Sequence, residues 1–219
     1  MFPIRDTRNS GKFPIVNLIL IGFNIYVFIL ELFSPNIEVF IAQYSLIPQN
    51  VNFFNIQTLK PFVTSMFLHA GFLHILSNMW FLWIFGDNVE AAIGHIKYLI
   101  FFIFCGVAAS FIQYLFIANS TLPMIGASGA IAGVLGAYLK LFPKNKVDTI
   151  IPIFGLPFFI ALPAYFMLIY WFVIQAFNGV ASIIVATASV GGVAYLAHAG
   201  GFLTGFLVSR SLVWQRLGR

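Results

Sequence analysis

Two short stretches of this chain carry side chains able to do chemistry. One is Gly126-Ala127-Ser128-Gly129-Ala130, a single hydroxyl among small residues where an apolar run begins. The other is Ala197-His198-Ala199-Gly200-Gly201, far down the chain. A serine on one buried helix and a histidine on another is the least apparatus for acyl transfer: the hydroxyl attacks, and the imidazole takes its proton and later returns it to the leaving amine. A third group, His69, His74 and Asn78, could add donors. His74 and Asn78 share a face if that segment is helical. With the backbone N–H of Ser128 at a helix N-terminus, they could face a developing oxyanion.

The elements that must position these residues are legible in the composition. Of 219 residues, 61% are hydrophobic and 8% charged, against about 25% charged in soluble domains. Several apolar runs approach the length of a bilayer span, so the fold class is an all-α membrane protein. An outer-membrane barrel would alternate apolar and polar residues, and these runs are continuous. The net charge of +5 does not point to nucleic acid, because the basic residues sit at the ends of apolar runs. With Cys105 as the single cysteine, no intramolecular disulfide can form.

The expected organisation is a cytoplasmic N-terminus over 1–12, a six-helix domain over 13–211 and a cytoplasmic C-terminus over 212–219. The spans are read at about 13–33, 70–88, 96–117, 126–142, 157–178 and 191–211, with a long first outer segment over 34–69. With both termini inside, ten of the eleven Lys and Arg residues face the cytoplasm, and only Lys60 lies outside. Phe13–Leu32 is too long for a signal peptide and lacks its cleavage site, so it is a retained span. In the outer segment Ser34-Pro35 reads as a helix start, with Ile37, Phe40, Ile41 and Tyr44 on one face of a short interfacial helix. Gly126, Gly129, Gly133 and Gly136 give the fourth span a close-packing face, and His198, Gly201 and Gly205 share a face in the sixth. On this topology Ser128, His198, His74 and Asn78 all fall in the outer half of the bilayer, where ionisable residues default to a functional reading.

Each feature also has a plainer reading. A serine among glycines can serve packing, an intramembrane histidine can bridge helices, and His74 with Asn78 can be interhelical glue. Three histidines, His69, His74 and His198, could hold zinc, but no carboxylate or cysteine accompanies them and Ser128 would be idle. Gly126–Ala130 is no phosphate loop, since no Lys-Ser/Thr follows. Neither metal nor organic cofactor is expected. No Asp or Glu is placed to orient His198, so the expected unit is a Ser–His dyad without an acid.

These motifs resemble the rhomboid family of intramembrane serine proteases. Gly126-Ala127-Ser128-Gly129 matches its G-x-S-G motif, and Ala197-His198-Ala199-Gly200-Gly201 its A-H-x-G-G motif. Phe67–Met79 resembles the stretch leading into its second helix, with an H-x-x-x-N in His74 and Asn78. Gly86, Glu90 and Gly94 fit its G-x-x-x-E-x-x-x-G signature. The resemblance implies a minimal six-helix bacterial or archaeal type in the plasma membrane, cleaving single-span membrane proteins near their outer boundary at small residues. It further implies Ser128 and His198 as the dyad, with Asn78, His74, His69, Gly126 and Gly129 in support. Where the family often has Trp-Arg, this chain has Leu59-Lys60, and where some members stack an aromatic on the histidine it has Ala132. By analogy with the family's gate, Pro157 and Pro163 would kink the fifth span and 178–190 would form the following outer loop. The competing readings are a catalytically silent rhomboid-like binder of membrane proteins and a small transporter using the polar residues as a path. Absent intramembrane carboxylates and repeat symmetry disfavour the transporter.

Overall fold

The computed structural model describes residues 1–8, 10–154, 156–184 and 194–217. A short strand, β1 (Phe2–Asp6), leads into α1 (Ile15–Leu32). The outer segment holds α2 (Ile37–Tyr44) and two single-turn helices, α3 (Ile56–Leu59) and α4 (Pro61–Thr64). Then come α5 (Phe72–Ile93), α6 (His95–Ile117) and α7 (Ser128–Leu141). Strands β2 (Lys146–Ile153) and β3 (Leu156–Pro163) precede α8 (Ala164–Ile184) and α9 (Tyr195–Leu217). Helices α1, α6, α8 and α9 are long and apolar enough to cross a membrane. The bent pair Ile56–Phe67 and Phe72–Ile93 gives a fifth candidate, and α7 is a shorter apolar helix. The protein is a mostly helical membrane bundle.

The central helix is α7. Every residue from Gly129 to Leu139 is buried, so α7 is enclosed by protein and needs no full bilayer length. Its closest partner is α9, and the glycines explain the contact. A β-carbon on Gly205 would lie 1.9 Å from the Gly133 carbonyl oxygen, and one on Gly201 would lie 2.1 Å from that of Gly129. The two backbones touch directly, as small residues at a membrane-helix interface permit.

The start of α1 is fixed by an acceptor from elsewhere in the chain. Pro14 gives α1 no side-chain cap. Instead Glu90, 1% exposed, accepts the N–H groups of Val16 at 2.9 Å and Asn17 at 2.7 Å, and it also bonds the His95 ring. This is a capping role worth about 0.5–2 kcal/mol in ordinary helices. Asn17 in turn donates to the Leu82 carbonyl and accepts from Tyr98.

The structure corrects several expectations. The fifth span does not begin at 157: Leu156–Pro163 is a strand, and helix starts only at Ala164. Pro157 and Pro163 therefore kink no helix. The stretch 178–184 belongs to α8 rather than to a loop, and 185–190 lie outside the described residues. The last helix starts at Tyr195 rather than near 191, and residues 191–193 again lie outside the described residues. It continues to Leu217, through most of the expected C-terminal tail. In the outer segment the cap is Asn36, whose side chain accepts from Val39 N–H, and not Ser34. The strands were not foreseen. They form one antiparallel sheet in the order β1-β2-β3, with an Arg5–Asp148 ion pair across β1 and β2.

Candidate active site

Ser128 is the first residue of α7, and His198 lies in the first turn of α9. The backbone contact between the two helices brings them together: His198 Nε2 is 2.7 Å from Ser128 Oγ. The other ring nitrogen, Nδ1, is 2.8 Å from Gln175 Oε1 on α8. With the amide oxygen accepting, Nδ1 carries the proton and Nε2 presents its lone pair to the hydroxyl, the arrangement a general base requires. One turn before Gln175, Trp171 stacks on the imidazole at 5.9 Å between centroids and 29° between planes. The start of α9 is itself held, because Gln113 on α6, buried, accepts the Ala197 N–H at 3.0 Å.

The other predicted residues gather around the loop ahead of Ser128. Gly126 has φ +119°, and a β-carbon there would lie 2.8 Å from the His74 ring and 3.8 Å from Asn78 Nδ2. Only glycine combines that backbone with so close an approach. Its N–H donates to the Ser65 carbonyl at 2.9 Å. Asn78 Nδ2 is 3.0 Å from His69 Nε2, leaving its second amide proton for another acceptor. The Ala70 N–H reaches His74 Nδ1 at 3.4 Å, which leaves the proton on Nε2, the side facing Gly126. The His69 and His74 rings meet edge-on at 5.1 Å. Glu31, buried at the end of α1, accepts the backbone N–H of His69 and so fixes the turn that delivers it. Among the described residues no three His, Cys, Asp or Glu side chains form a group able to hold a metal ion.

Three contributors escaped the sequence reading: Gln175, Trp171 and Gln113. The visible signal was a glutamine inside an otherwise apolar span, four residues after a tryptophan, so both lie on one helical face. The orienting groups for His198 thus come from α8, which supplies the stacked aromatic that Ala132 on α7 does not.

The Rhomboid domain family model matches residues 57–215, a range holding every site residue just described except Glu31. The chain is a member of the rhomboid family. It is 30% identical over 156 residues to RHOMBOID-like protein 6, mitochondrial, of Arabidopsis thaliana, covering 70% of this chain and 43% of that protein. It is 33% identical over 93 residues to Presenilin-associated rhomboid-like protein A, mitochondrial, of Danio rerio, covering 42% of this chain and 24% of that one. It is 38% identical over 73 residues to Rhomboid-like protein 11, chloroplastic, of Arabidopsis thaliana, covering 33% of this chain and 26% of that one. The matches span less than half the length of each of these relatives.

Proposed function

We propose that this rhomboid is an intramembrane serine endopeptidase that cleaves membrane proteins in or near their transmembrane segments, with a Ser128–His198 dyad and no cofactor. The observation that carries this reading is the 2.7 Å contact between His198 Nε2 and Ser128 Oγ. Ser128 Oγ attacks the scissile carbonyl as its proton passes to Nε2. The oxyanion forms beside the Ser128 N–H, which at the first position of α7 has no partner within the helix. Asn78 and His74 supply side-chain donors, and His69 holds Asn78 in place. Collapse expels the amine, which takes the proton from Nε2 and leaves an acyl-serine. Water, deprotonated by Nε2, then releases the acid and restores the serine. Gln175 accepts from Nδ1–H throughout and keeps Nε2 free.

The test is fluorophosphonate labelling and cleavage of a single-span substrate in liposomes. Modification of Ser128, with cleavage lost in Ser128→Ala and kept in chelator, is the expected result. A folded protein that neither labels nor cleaves would be the silent binder instead. The topology proposed is N-in and C-in in a bacterial or archaeal plasma membrane, although the names of the relatives above place them in mitochondria and chloroplasts. A reporter fused after Arg219 that reads as external would overturn the orientation.

A further inference from the structure

A groove on the outside of the bundle plays no part in the chemistry above. It lies between α7, α8 and α9 and holds about 430 Å³. Its lining includes Ile169, Phe172, Leu203 and Phe206, with Lys140 and Pro143 from the end of α7. The walls on α8 and α9 belong to helices long and apolar enough to cross a membrane, and Ile169 and Leu203 are exposed. Hydrocarbon is the surrounding that such walls fit. Beneath them Phe172 stacks on buried Phe202 at 4.9 Å and 27°. Phe202 in turn meets Trp171 at 6.1 Å, and Trp171 is the ring that stacks on His198. Two rings, Phe202 and Trp171, therefore separate the groove from the imidazole.

Cations close one end of this groove. Lys140 is in the last turn of α7, and its Nζ lies over the Phe206 ring, 4.4 Å from the centroid. Leu203, Phe206 and Arg210 fall within about 60° of one another on α9, so the exposed Arg210 continues the same wall one turn on. In the α7–α9 register Gly129 lies against Gly201 and Gly133 against Gly205. That register puts Arg210 within roughly 3 Å of the level of Lys140. Neither cation has a hydrogen bond or an ion pair among the described residues. The nearby acids are engaged elsewhere. Asp6 accepts from Tyr138, about 200° around α7 from Lys140, and Asp148 pairs with Arg5. Two uncompensated cations at the foot of an apolar groove call for an anion joined to a hydrocarbon chain. A free phosphate would leave the aromatic walls bare, and an uncharged lipid would leave the cations bare. We propose that the groove binds an anionic glycerophospholipid, its phosphate between Lys140 and Arg210 and one acyl chain against Phe172 and Phe206, and that this lipid braces α8 on α9. Such binding needs no proteolysis and goes beyond the protease reading.

The probes are phosphatidylglycerol and phosphatidylcholine with the same acyl chains, offered to delipidated protein in neutral detergent and counted as adducts by native mass spectrometry. Each cation should favour the anionic lipid roughly fivefold, so the wild type should prefer phosphatidylglycerol by about 25-fold. Lys140→Gln with Arg210→Gln should bring the ratio near one. Lys140→Arg with Arg210→Lys keeps both charges and should keep the preference, which separates lost charge from lost folding. Lys12→Gln with Lys146→Gln removes equal charge from the same end and should change nothing. Leu203→Trp fills the groove, spares both cations and should abolish the adduct. Glycerophosphoglycerol, the headgroup without its chains, should not displace the lipid. Equal retention of the two lipids, a ratio that falls as far in the Lys12/Lys146 pair, an adduct that survives Leu203→Trp, or displacement by the headgroup alone would each overturn the proposal. In nanodiscs, amide exchange along α8 should be slower with phosphatidylglycerol than with phosphatidylcholine in the wild type and equal in the Lys140→Gln, Arg210→Gln variant. Exchange indifferent to the lipid would overturn the bracing of α8.

Discussion

Both ends of this bundle bury polar side chains among apolar helices, and they are spent differently. At the end away from the dyad, Glu90, Asn17 and Tyr98 bond one another's elements in a closed set: two helix N–H groups, a carbonyl and a phenol all find partners. At the dyad end the chain of contacts runs Gln175–His198–Ser128 and stops at a hydroxyl. Beside it Asn78 keeps one amide proton uncommitted. A closed network holds structure, whereas one that ends on a hydroxyl beside an unspent donor still has hydrogen bonds to offer.

Substitutions should separate the two ends. The largest effect is expected at the dyad: Ser128→Ala and His198→Ala should each abolish cleavage, and the double variant should be no worse than either, since a nucleophile–base unit is non-additive. Residual turnover in Ser128→Ala in a single-turnover assay would break the comparison. Next, Asn78→Ala should lower kcat by roughly 10²–10³-fold with KM nearly kept, because the oxyanion exists only after the ground state. If turnover per labelled serine stays intact while the melting temperature falls, Asn78 belongs with the closed networks. Gln175→Leu should lower kcat about tenfold, the scale of one lost orienting hydrogen bond. Gln175→Glu, which keeps an acceptor, should recover most of that, a rescue that simple packing would not give. At the other end, Glu90→Ala should cost about 1–3 kcal/mol of stability by stranding the buried Asn17 N–H and the part-buried Val16 N–H, with turnover per labelled site unchanged.

The smallest expected effect is a pH dependence. Burial raises the Asp6 carboxyl from 3.8 to about 6, against the pull of its Tyr138 hydrogen bond. The folded protein therefore binds this proton more tightly than the unfolded chain. The stabilisation is complete below about pH 4 and is lost as pH rises through about 6. Melting curves of Asp6→Asn across that window should be flatter than those of the wild type.

The serine and histidine motifs and most of the long helices could be read because each is local: a motif, or a sustained apolar run. What escaped the reading depends on distant partners. Residues 146–163 look like the approach to a span because they are apolar, and short apolar runs do not declare their period. The signal was present in β-branched Val147, Thr149, Ile150 and Ile151 and in three prolines unsuited to a helix. The pairing of β1 with β2 joins residues more than 140 apart, which no local pattern reports. Gln175 could be noticed as polar, but its role needed the position of His198. Ser34 and Asn36 are both good caps two residues apart, and the sequence does not rank them.

The carbonyl oxygens of α7 rest against α9 where there are no side chains. Such a contact has no rotamers to populate as temperature rises, so the separation of the Ser128 and His198 backbones is set chiefly by main-chain contact. Warming should therefore leave the dyad at its spacing until the bundle itself melts. The groups on α8 hang on rotatable bonds, so heat should first disorder the orientation of the imidazole and only later its distance. In an Arrhenius plot of turnover the slope would then bend before any unfolding is seen by circular dichroism.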